Sequence, residues 1–209
     1  MGFYENKIFP YLLDKQMSKA SYADERPLAL ANASGRILEI GFGTGLNLPH
    51  YPAHVKDIVA LDINPGMNAM AQRRMLEAGV CVEHHCLNGE ILPFEDDSFD
   101  SVVSTWTLCS IDNLPSALAE IYRVLKSAGK FFFLEHGLAD KPSVQKLQHW
   151  ITPVQKVIGC GCRLNVAIDR ALEEAGFRID KLDKFILSGT TSPLSGSMYR
   201  GIACRAVGN

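Results

Sequence analysis

A glycine-rich loop directly after a short apolar segment constrains the fold of this chain more than any other feature. The apolar segment Arg36–Gly41 reads RILEIG, and the loop continues as Phe42-Gly43-Thr44-Gly45. Glycines permit a tight turn and let a ligand approach the backbone closely. The pattern predicts a buried strand followed by a ligand-binding loop, although a glycine loop alone also fits a simple strand-to-helix turn.

Strand-like and helix-like segments alternate after this loop. Helical spacing of apolar residues covers 67–78, 114–125, 143–158 and 165–175, and Pro153 in the third segment allows either one helix or a pair. The predicted strands are Arg36–Gly41, Asp57–Ile63, Val80–Leu87, Phe99–Leu108, Lys130–His136, Ile179–Leu187 and Ser197–Val207. This alternation is typical of an α/β fold, a parallel sheet with helices on both faces. No helix separates the last two strands, so they should run antiparallel.

A length of 209 residues is typical of one domain. We therefore expect a single domain over 1–209, beginning with a helical segment over 1–30. A further segment, 140–163, forms an insertion after the fifth strand. Because open α/β folds bind ligands at the carboxyl edge of the sheet, we interpret this insertion as a substrate lid.

Composition excludes several classes of partner. With 21 Lys+Arg, 23 Asp+Glu and a formal charge of −2, the chain has no electrostatic basis for binding nucleic acid. It has no apolar run of roughly 18 residues and no signal peptide, so we expect a cytoplasmic protein whose membrane contact is at most peripheral. The six cysteines are scattered and should be reduced. No pattern sets an oligomeric state.

Polar residues at successive strand ends predict a nucleoside cofactor. Asp62 lies 21 residues after Gly41, the spacing that places a carboxylate on ribose hydroxyls. Asn88-Gly89-Glu90 follows the third predicted strand and should face the same crevice. Glycine loop, carboxylate and amide/acid pair are therefore expected at one edge of the sheet.

The loop sequence favours S-adenosyl-L-methionine over a dinucleotide. A dinucleotide fingerprint requires Gly or Ala at position 46, where this chain has Leu46. Glu39, beside the loop, suits the sulfonium cation of S-adenosylmethionine better than it suits a pyrophosphate anion. A nicotinamide dinucleotide remains the alternative.

Four segments together resemble the class I S-adenosylmethionine-dependent methyltransferases. They are LEIGFGTGLN, ALDINPGM, LNGEILPFEDDSFDSVVSTWTLCSI and EIYRVLKSAGKFFFLEH, all within 35–136. The resemblance implies a Rossmann-like seven-stranded sheet, mostly parallel with an antiparallel last strand. It also implies S-adenosyl-L-methionine as cofactor and a small-molecule methyl acceptor.

The cofactor site implied by the resemblance lies at or just after the strand ends. The assignments are Gly41, Phe42, Gly43 and Gly45 to the methionine part, Asp62 to the ribose, Ile63, Met67, Asn88, Gly89 and Glu90 to the adenine, and Thr105 to the sulfonium. Glu39, Asn47 and Thr107 complete the predicted cofactor site.

A narrower resemblance, to the alkyl-thiol S-methyltransferases, runs over most of the chain. It rests on Asn47, Tyr51-Pro52, the LCSI segment, Glu135-His136 and the segment 148–162. It implies a small, lipophilic thiol as acceptor. Phospholipid N-methyltransferases and quinone C-methyltransferases are similar to a lesser degree and supply the alternative acceptors. A cofactor-binding protein without catalysis is the alternative of another class.

His136 is the candidate catalytic residue. It ends the fifth predicted strand beside the insertion, where a histidine can act as an acid or base or can order the lid. No metal site is predicted, because the segments 84–86 (HHC) and 160–162 (CGC) match no closed four-ligand zinc pattern. Cys109 is interpreted as a small packing residue.

Overall fold

The seven predicted strands form one sheet in the computed structural model, which describes residues 2–189, 194 and 196–206. The strands are β1 (Ile37–Ile40), β2 (Asp57–Leu61), β3 (Cys81–His85), β4 (Phe99–Thr105), β5 (Leu125–His136), β6 (Phe177–Ile186) and β7 (Ser197–Arg205). Their order is β3-β2-β1-β4-β5-β7-β6. Strands β1 to β5 pair in parallel, whereas β7 is antiparallel to both β5 and β6. The predicted fold class is confirmed.

Seven α-helices accompany the sheet in the described part of the chain. They are α1 (Phe9–Met17), α2 (Ala20–Ala23), α3 (Glu25–Leu30), α4 (Pro65–Glu77), α5 (Leu114–Val124), α6 (Pro142–Ile158) and α7 (Ile168–Glu174). Shorter helical turns lie at Tyr4–Ile8, Leu48–His50 and Leu108–Ser110. None of the helices within these described ranges combines the length and hydrophobicity needed to cross a bilayer.

Neighbouring side chains of β1 enter two separate hydrophobic cores. Leu38 packs in a core that includes Leu118 of α5, and Ile37 packs in another that includes Leu30 of α3. Successive strand residues point to opposite faces, so a strand covered on both sides must be apolar throughout. This requirement explains why Glu39 is the one charged residue of β1, and why helices cover both faces.

Strand β4 ends at Thr105, three residues before the predicted end at position 108. Trp106 has a φ of 52°, so the backbone turns sharply there. The buried carboxyl group of Glu135 then accepts hydrogen bonds from the backbone N–H groups of Thr107 (3.1 Å) and Leu108 (3.2 Å). The prediction missed this turn because the apolar pattern continues through it.

The predicted helix or helix pair around Pro153 is the single helix α6. Proline removes one backbone hydrogen bond from the helix interior, but it does not always end the helix. The Thr152 hydroxyl donates to the carbonyl oxygen of Gln148 (2.7 Å), four residues earlier. α6 therefore runs unbroken across most of the predicted insertion.

Further boundaries differ from the predictions. Strand β5 begins at Leu125 rather than at Lys130, and β6 begins at Phe177 rather than at Ile179. Helix α7 begins at Ile168 rather than at position 165, because the preceding segment is bonded elsewhere: the Leu138 N–H donates to the Val166 carbonyl oxygen (2.8 Å). The described part of the segment predicted as helical over 1–30 contains one helical turn and three short helices between residues 4 and 30. Val207, the predicted end of the last strand, lies outside the described residues.

Candidate active site

A cavity of about 890 Å³ opens at the carboxyl ends of the five parallel strands. Thirteen predicted site residues line it: Gly41, Phe42, Gly43, Asn47, Asp62, Ile63, Met67, Asn88, Gly89, Glu90, Thr105, Thr107 and His136. Two predicted cofactor residues, Glu39 and Gly45, lie outside its wall. The fold thus brings together residues from five separate loops of the chain.

The glycine loop forms one wall of the cavity, and Asp62 holds it in place. The two carboxylate oxygens of Asp62 accept hydrogen bonds from the backbone N–H groups of Gly43 and Asn64, both at 2.7 Å. Gly41 has a φ of +73°, and a Cβ there would lie 1.9 Å from the Thr107 hydroxyl oxygen. Burial raises the pKa of Asp62. A glycine turn and a desolvated carboxyl group therefore face the same space.

Glu39 lies behind the cavity wall and acts on it through Asn47. Its carboxyl oxygens accept hydrogen bonds from the Asn47 side chain (2.8 Å) and the Tyr51 hydroxyl (2.7 Å). Asn47 also donates to the Thr105 hydroxyl (3.0 Å) and accepts from the Arg26 guanidinium (2.6 Å). Burial raises the pKa of Glu39 to about 7. Glu39 therefore fixes the amide of Asn47 and does not itself reach the cavity.

The N-terminal helices contribute a part of the cavity that the sequence analysis did not identify. Asp14 on α1 lines the cavity and accepts hydrogen bonds from Arg74 of α4 (2.7 Å) and from the Thr44 hydroxyl. The Arg26 guanidinium lies 4.8 Å from the centre of the Trp106 ring. The one sequence signal for these contacts is charged residues within an otherwise apolar helical segment.

A cluster of two cysteines and a histidine lies in the wall of the same cavity. His136 Nε2 is 3.0 Å from the Sγ atom of Cys162, which is 3.9 Å from the Sγ atom of Cys109. In the sequence these three residues lie in distant segments, and no spacing pattern connects them. Their proximity depends on the ends of β4 and β5 and on the loop after α6.

Hydrogen bonds polarise this cluster. The thiol of Cys109 and then the imidazole of His136 donate to Cys162, and together they lower the pKa of Cys162 to about 4 against the effect of burial. Burial lowers the pKa of His136, but its contact with Cys162 gives a net increase. The pKa of Cys109 is well above its ordinary value because its thiol bonds to Cys162 and is buried. These contacts therefore favour ionisation of Cys162 over ionisation of Cys109.

Backbone contacts fix the loop that carries Cys162. The neighbouring Arg163 donates from its backbone N–H (3.0 Å) and its side-chain Nε (3.2 Å) to the carbonyl oxygen of Cys109. A Cβ on Gly161 would lie 3.0 Å from the carbonyl oxygen of Ser110, so the two backbones are closely packed. The relative position of the two cysteines is thus set by main-chain contacts beside them.

Comparison with known proteins identifies the family. The family model described as "Methyltransferase domain" matches residues 38–133. Thiol S-methyltransferase TMT1A of Homo sapiens is 31% identical, and the alignment covers 93% of this chain and 83% of that protein. The chain belongs to the class I S-adenosylmethionine-dependent methyltransferases. Its cofactor is S-adenosyl-L-methionine, and the glycine loop and buried Asp62 carboxyl group of the cavity fit that molecule.

Two other proteins are similar to this methyltransferase, one in sequence and one in fold. The ubiquinone/menaquinone biosynthesis C-methyltransferase UbiE of Bartonella quintana (strain Toulouse) is 30% identical over 94% of this chain and 77% of that protein. The structure of geranyl diphosphate methyltransferase in complex with S-adenosylmethionine shares the fold with a TM-score of 0.67. That similarity covers 93% of this chain and 88% of the other at 14% identity. The thiol S-methyltransferase and the C-methyltransferase differ in the acceptor atom, and the solved structure shows the shared fold.

Proposed function

We propose that this methyltransferase transfers a methyl group to the sulfur of a small, lipophilic thiol. The observation that carries the proposal is the similarity to a thiol S-methyltransferase over 93% of the chain. The cluster of Cys109, His136 and Cys162 supports it, because the cluster lies in the same cavity as the cofactor residues. The imidazole of His136 can hydrogen-bond the sulfur of an acceptor that enters this part of the cavity.

The cofactor assignments made from the sequence become part of this proposal. Bound S-adenosylmethionine supplies an electrophilic methyl group on a positively charged sulfur. Asp62 is assigned to the ribose hydroxyls, and the loop that it holds is assigned to the methionine part. Ile63 and Met67 flank the adenine, and the segment 88–90 contacts its edge.

The other polar residues of the cavity complete the assignment. Asn47, Thr105 and Thr107 surround the position of the sulfonium, and Glu39 acts there through Asn47. Gly45 contributes to the loop conformation, with a φ of +80°. These residues orient the methyl group, so proximity and a desolvated pocket supply most of the rate acceleration.

His136 is the proposed catalytic residue for activating the acceptor. A thiol must lose its proton because the thiolate is the nucleophile. His136 lines the cavity next to Cys162 and is largely buried, so it can act on an acceptor shielded from water. We assign the segment 140–163 to the lid that covers this acceptor, within a single domain over 1–209. We further propose that any contact of the enzyme with a membrane is peripheral.

An acceptor panel with methyl-labelled S-adenosylmethionine tests the proposal. Alkyl thiols are compared with alcohols of the same chain length, with phosphatidylethanolamine and with a quinone precursor. We expect label in the thioether products and none in the matched alcohols. Label in the quinone precursor alone would support C-methylation, which the UbiE relative favours. Binding of the cofactor without transfer to any acceptor would favour the non-catalytic alternative.

A further inference from the structure

The cluster in the cavity has the composition of a catalytic zinc site. Two cysteines and one histidine are the protein ligands of one known type of catalytic site, which leaves the fourth position for water or substrate. Cys109, His136 and Cys162 offer one ligand atom each, and these atoms all lie within 4.8 Å of one another. All three residues line the cavity that contains the cofactor residues.

The distances in the cluster are close to those of a tetrahedral zinc ion. Zn–S bonds of about 2.3 Å place two sulfur ligands roughly 3.8 Å apart, and a histidine nitrogen lies roughly 3.5 Å from each sulfur. The Sγ atoms of Cys109 and Cys162 are 3.9 Å apart, and His136 Nε2 is 3.0 Å from the Cys162 Sγ atom. The third pair, His136 Nε2 and the Cys109 Sγ atom, lies within 4.8 Å. Binding an ion would therefore move the histidine about half an ångström away from Cys162 and bring it up to about 1.3 Å closer to Cys109.

The ligand positions are set by the fold before a metal binds. Cys109 lies in the turn after β4, and His136 is the last residue of β5. Arg163 bonds to the carbonyl oxygen of Cys109 and thereby holds the adjacent Cys162 in place. A site whose ligands are already positioned loses little conformational freedom on binding the ion.

We propose that Cys109, His136 and Cys162 bind one Zn²⁺ ion, and that the acceptor thiol occupies its fourth position. This inference rests on the proposed thiol acceptor. Soft thiolate and imidazole ligands in a tetrahedral arrangement select zinc over magnesium or calcium. His136 is then a ligand that positions the ion, and the ion, rather than the imidazole, activates the acceptor thiol.

The metal accounts for both activation and release of the acceptor. A thiol that coordinates zinc gives up its proton to solvent. Its sulfur then forms a bond to the methyl carbon as the carbon–sulfur bond of the cofactor breaks, and the electron pair of that bond stays on the cofactor sulfur. The thioether product is uncharged and is a weaker ligand than a thiolate, so it leaves the metal.

Metal binding is measured directly on the reduced full-length chain. The protein is treated with a phosphine reductant and a chelator, and is then titrated with Zn²⁺ or Co²⁺. We expect one ion per chain, and thiolate-to-cobalt absorption in the near ultraviolet. Addition of an alkyl thiol without cofactor should change this absorption, and the matched alcohol should not.

Variants locate the site. Cys109→Ala, His136→Ala and Cys162→Ser should each weaken Zn²⁺ binding by about 100-fold or more. Cys81→Ser is the matched control, because Cys81 is exposed at the start of β3 and lies outside the cavity wall. Cys162 is a half-buried loop residue, so the Cys162→Ser substitution should not prevent folding. For each variant, retained binding of S-adenosylmethionine shows that the protein is folded.

Each outcome separates this inference from the proposed function. Absence of Zn²⁺ binding, or binding that survives all three cluster variants, overturns the zinc site even if thiols are methylated. Zinc bound at the cluster without a spectral response to thiols overturns the acceptor's place on the metal. Methylation of a quinone precursor alone, in a zinc-containing enzyme, overturns the proposed thiol function and leaves the metal site intact.

Discussion

Asp62 links the glycine loop to the second strand through one side chain. Replacing it with alanine leaves the N–H groups of Gly43 and Asn64 without their carboxylate acceptor. We expect Asp62→Ala to weaken S-adenosylmethionine binding by about 1.5–3 kcal/mol, or roughly 10- to 150-fold, the scale of a charged hydrogen bond. Calorimetry measures the affinity, and Asp57→Ala, at the exposed start of β2, is the control. An unchanged affinity would remove Asp62 from the ribose site.

Glu39 makes the stability of the methyltransferase depend on pH. Its pKa is raised from 4.5 to about 7 by burial, despite opposing hydrogen bonds and the charge of Arg26. A carboxyl group with a raised pKa stabilises the fold when protonated, and this stability is lost as pH rises from about 4.5 through 7. Glu39→Gln cannot ionise and keeps the size of the side chain.

The free energy of unfolding of Glu39→Gln should therefore rise relative to that of the wild type across this pH window. The variant gains at most about 3 kcal/mol of unfolding free energy relative to the wild type, which is the free energy that corresponds to the rise in the pKa of Glu39 from 4.5 to about 7. Urea unfolding of the cofactor-free proteins at pH 5, 6, 7 and 8 measures it. Glu174→Gln, an exposed carboxyl on α7, controls for the loss of one negative charge. A constant difference between Glu39→Gln and wild type would contradict the assignment.

At the level of elements, one ion pair attaches the N-terminal helix to the cofactor cavity. Arg74 of α4 bonds to Asp14 of α1, and it also donates to the Thr44 carbonyl oxygen (2.8 Å) in the glycine loop. We expect Arg74→Ala to release α1, so that trypsin cleaves at Lys15 and Lys19 about tenfold faster. Bound S-adenosylmethionine should slow the cleavage because α1 lines the cavity.

The adjacent Arg73 offers a matched control for this prediction. It is exposed and pairs with Glu77 on the same helix. Arg73→Ala removes an equal charge and one tryptic site from α4, but it leaves the contact between α1 and the loop intact. Equal cleavage rates in the two variants would show that the ion pair does not hold α1.

The elements were predictable from the sequence where local pattern decides them, and less so where distant contacts decide them. The run at 37–40 is apolar apart from Glu39 because β1 is covered on both faces, so its strand was identified. The end of β4 was missed because the buried Glu135 carboxyl group, distant in sequence, bonds the turn there. The proximity of Cys109 and Cys162 was not predicted for the same reason. The hydrogen bonds of Arg163 bring the two cysteines together, and no periodic pattern in the sequence encodes those contacts.

Asp14 shows the same limit at the cavity wall. Its helix has the ordinary amphipathic spacing, but its role depends on Arg74, 60 residues away. Twelve of the fourteen predicted cofactor residues line one cavity, because parallel strands carry their carboxyl ends to one edge whatever the details of packing.

For the whole molecule, cofactor binding should stabilise the fold measurably. A ligand at 100 times its dissociation constant stabilises the native state by about 2.7 kcal/mol. For a chain of 209 residues this corresponds to a rise in Tm of roughly 5–10 °C. Thermal unfolding with S-adenosylmethionine measures the shift, and NAD at the same concentration is the control. A shift with NAD alone would contradict the exclusion of a dinucleotide based on Leu46.

The position of β7 also bears on how the chain matures during synthesis. β7 is inserted between β5 and β6, although it follows both in the chain. Until residues 197–205 have emerged from the ribosome, the edge of β5 opposite β4 has no partner along 131–136, a segment that includes three consecutive phenylalanines. Unpaired apolar strand edges attract other chains. The nascent protein therefore most needs chaperone protection just before its last strand arrives.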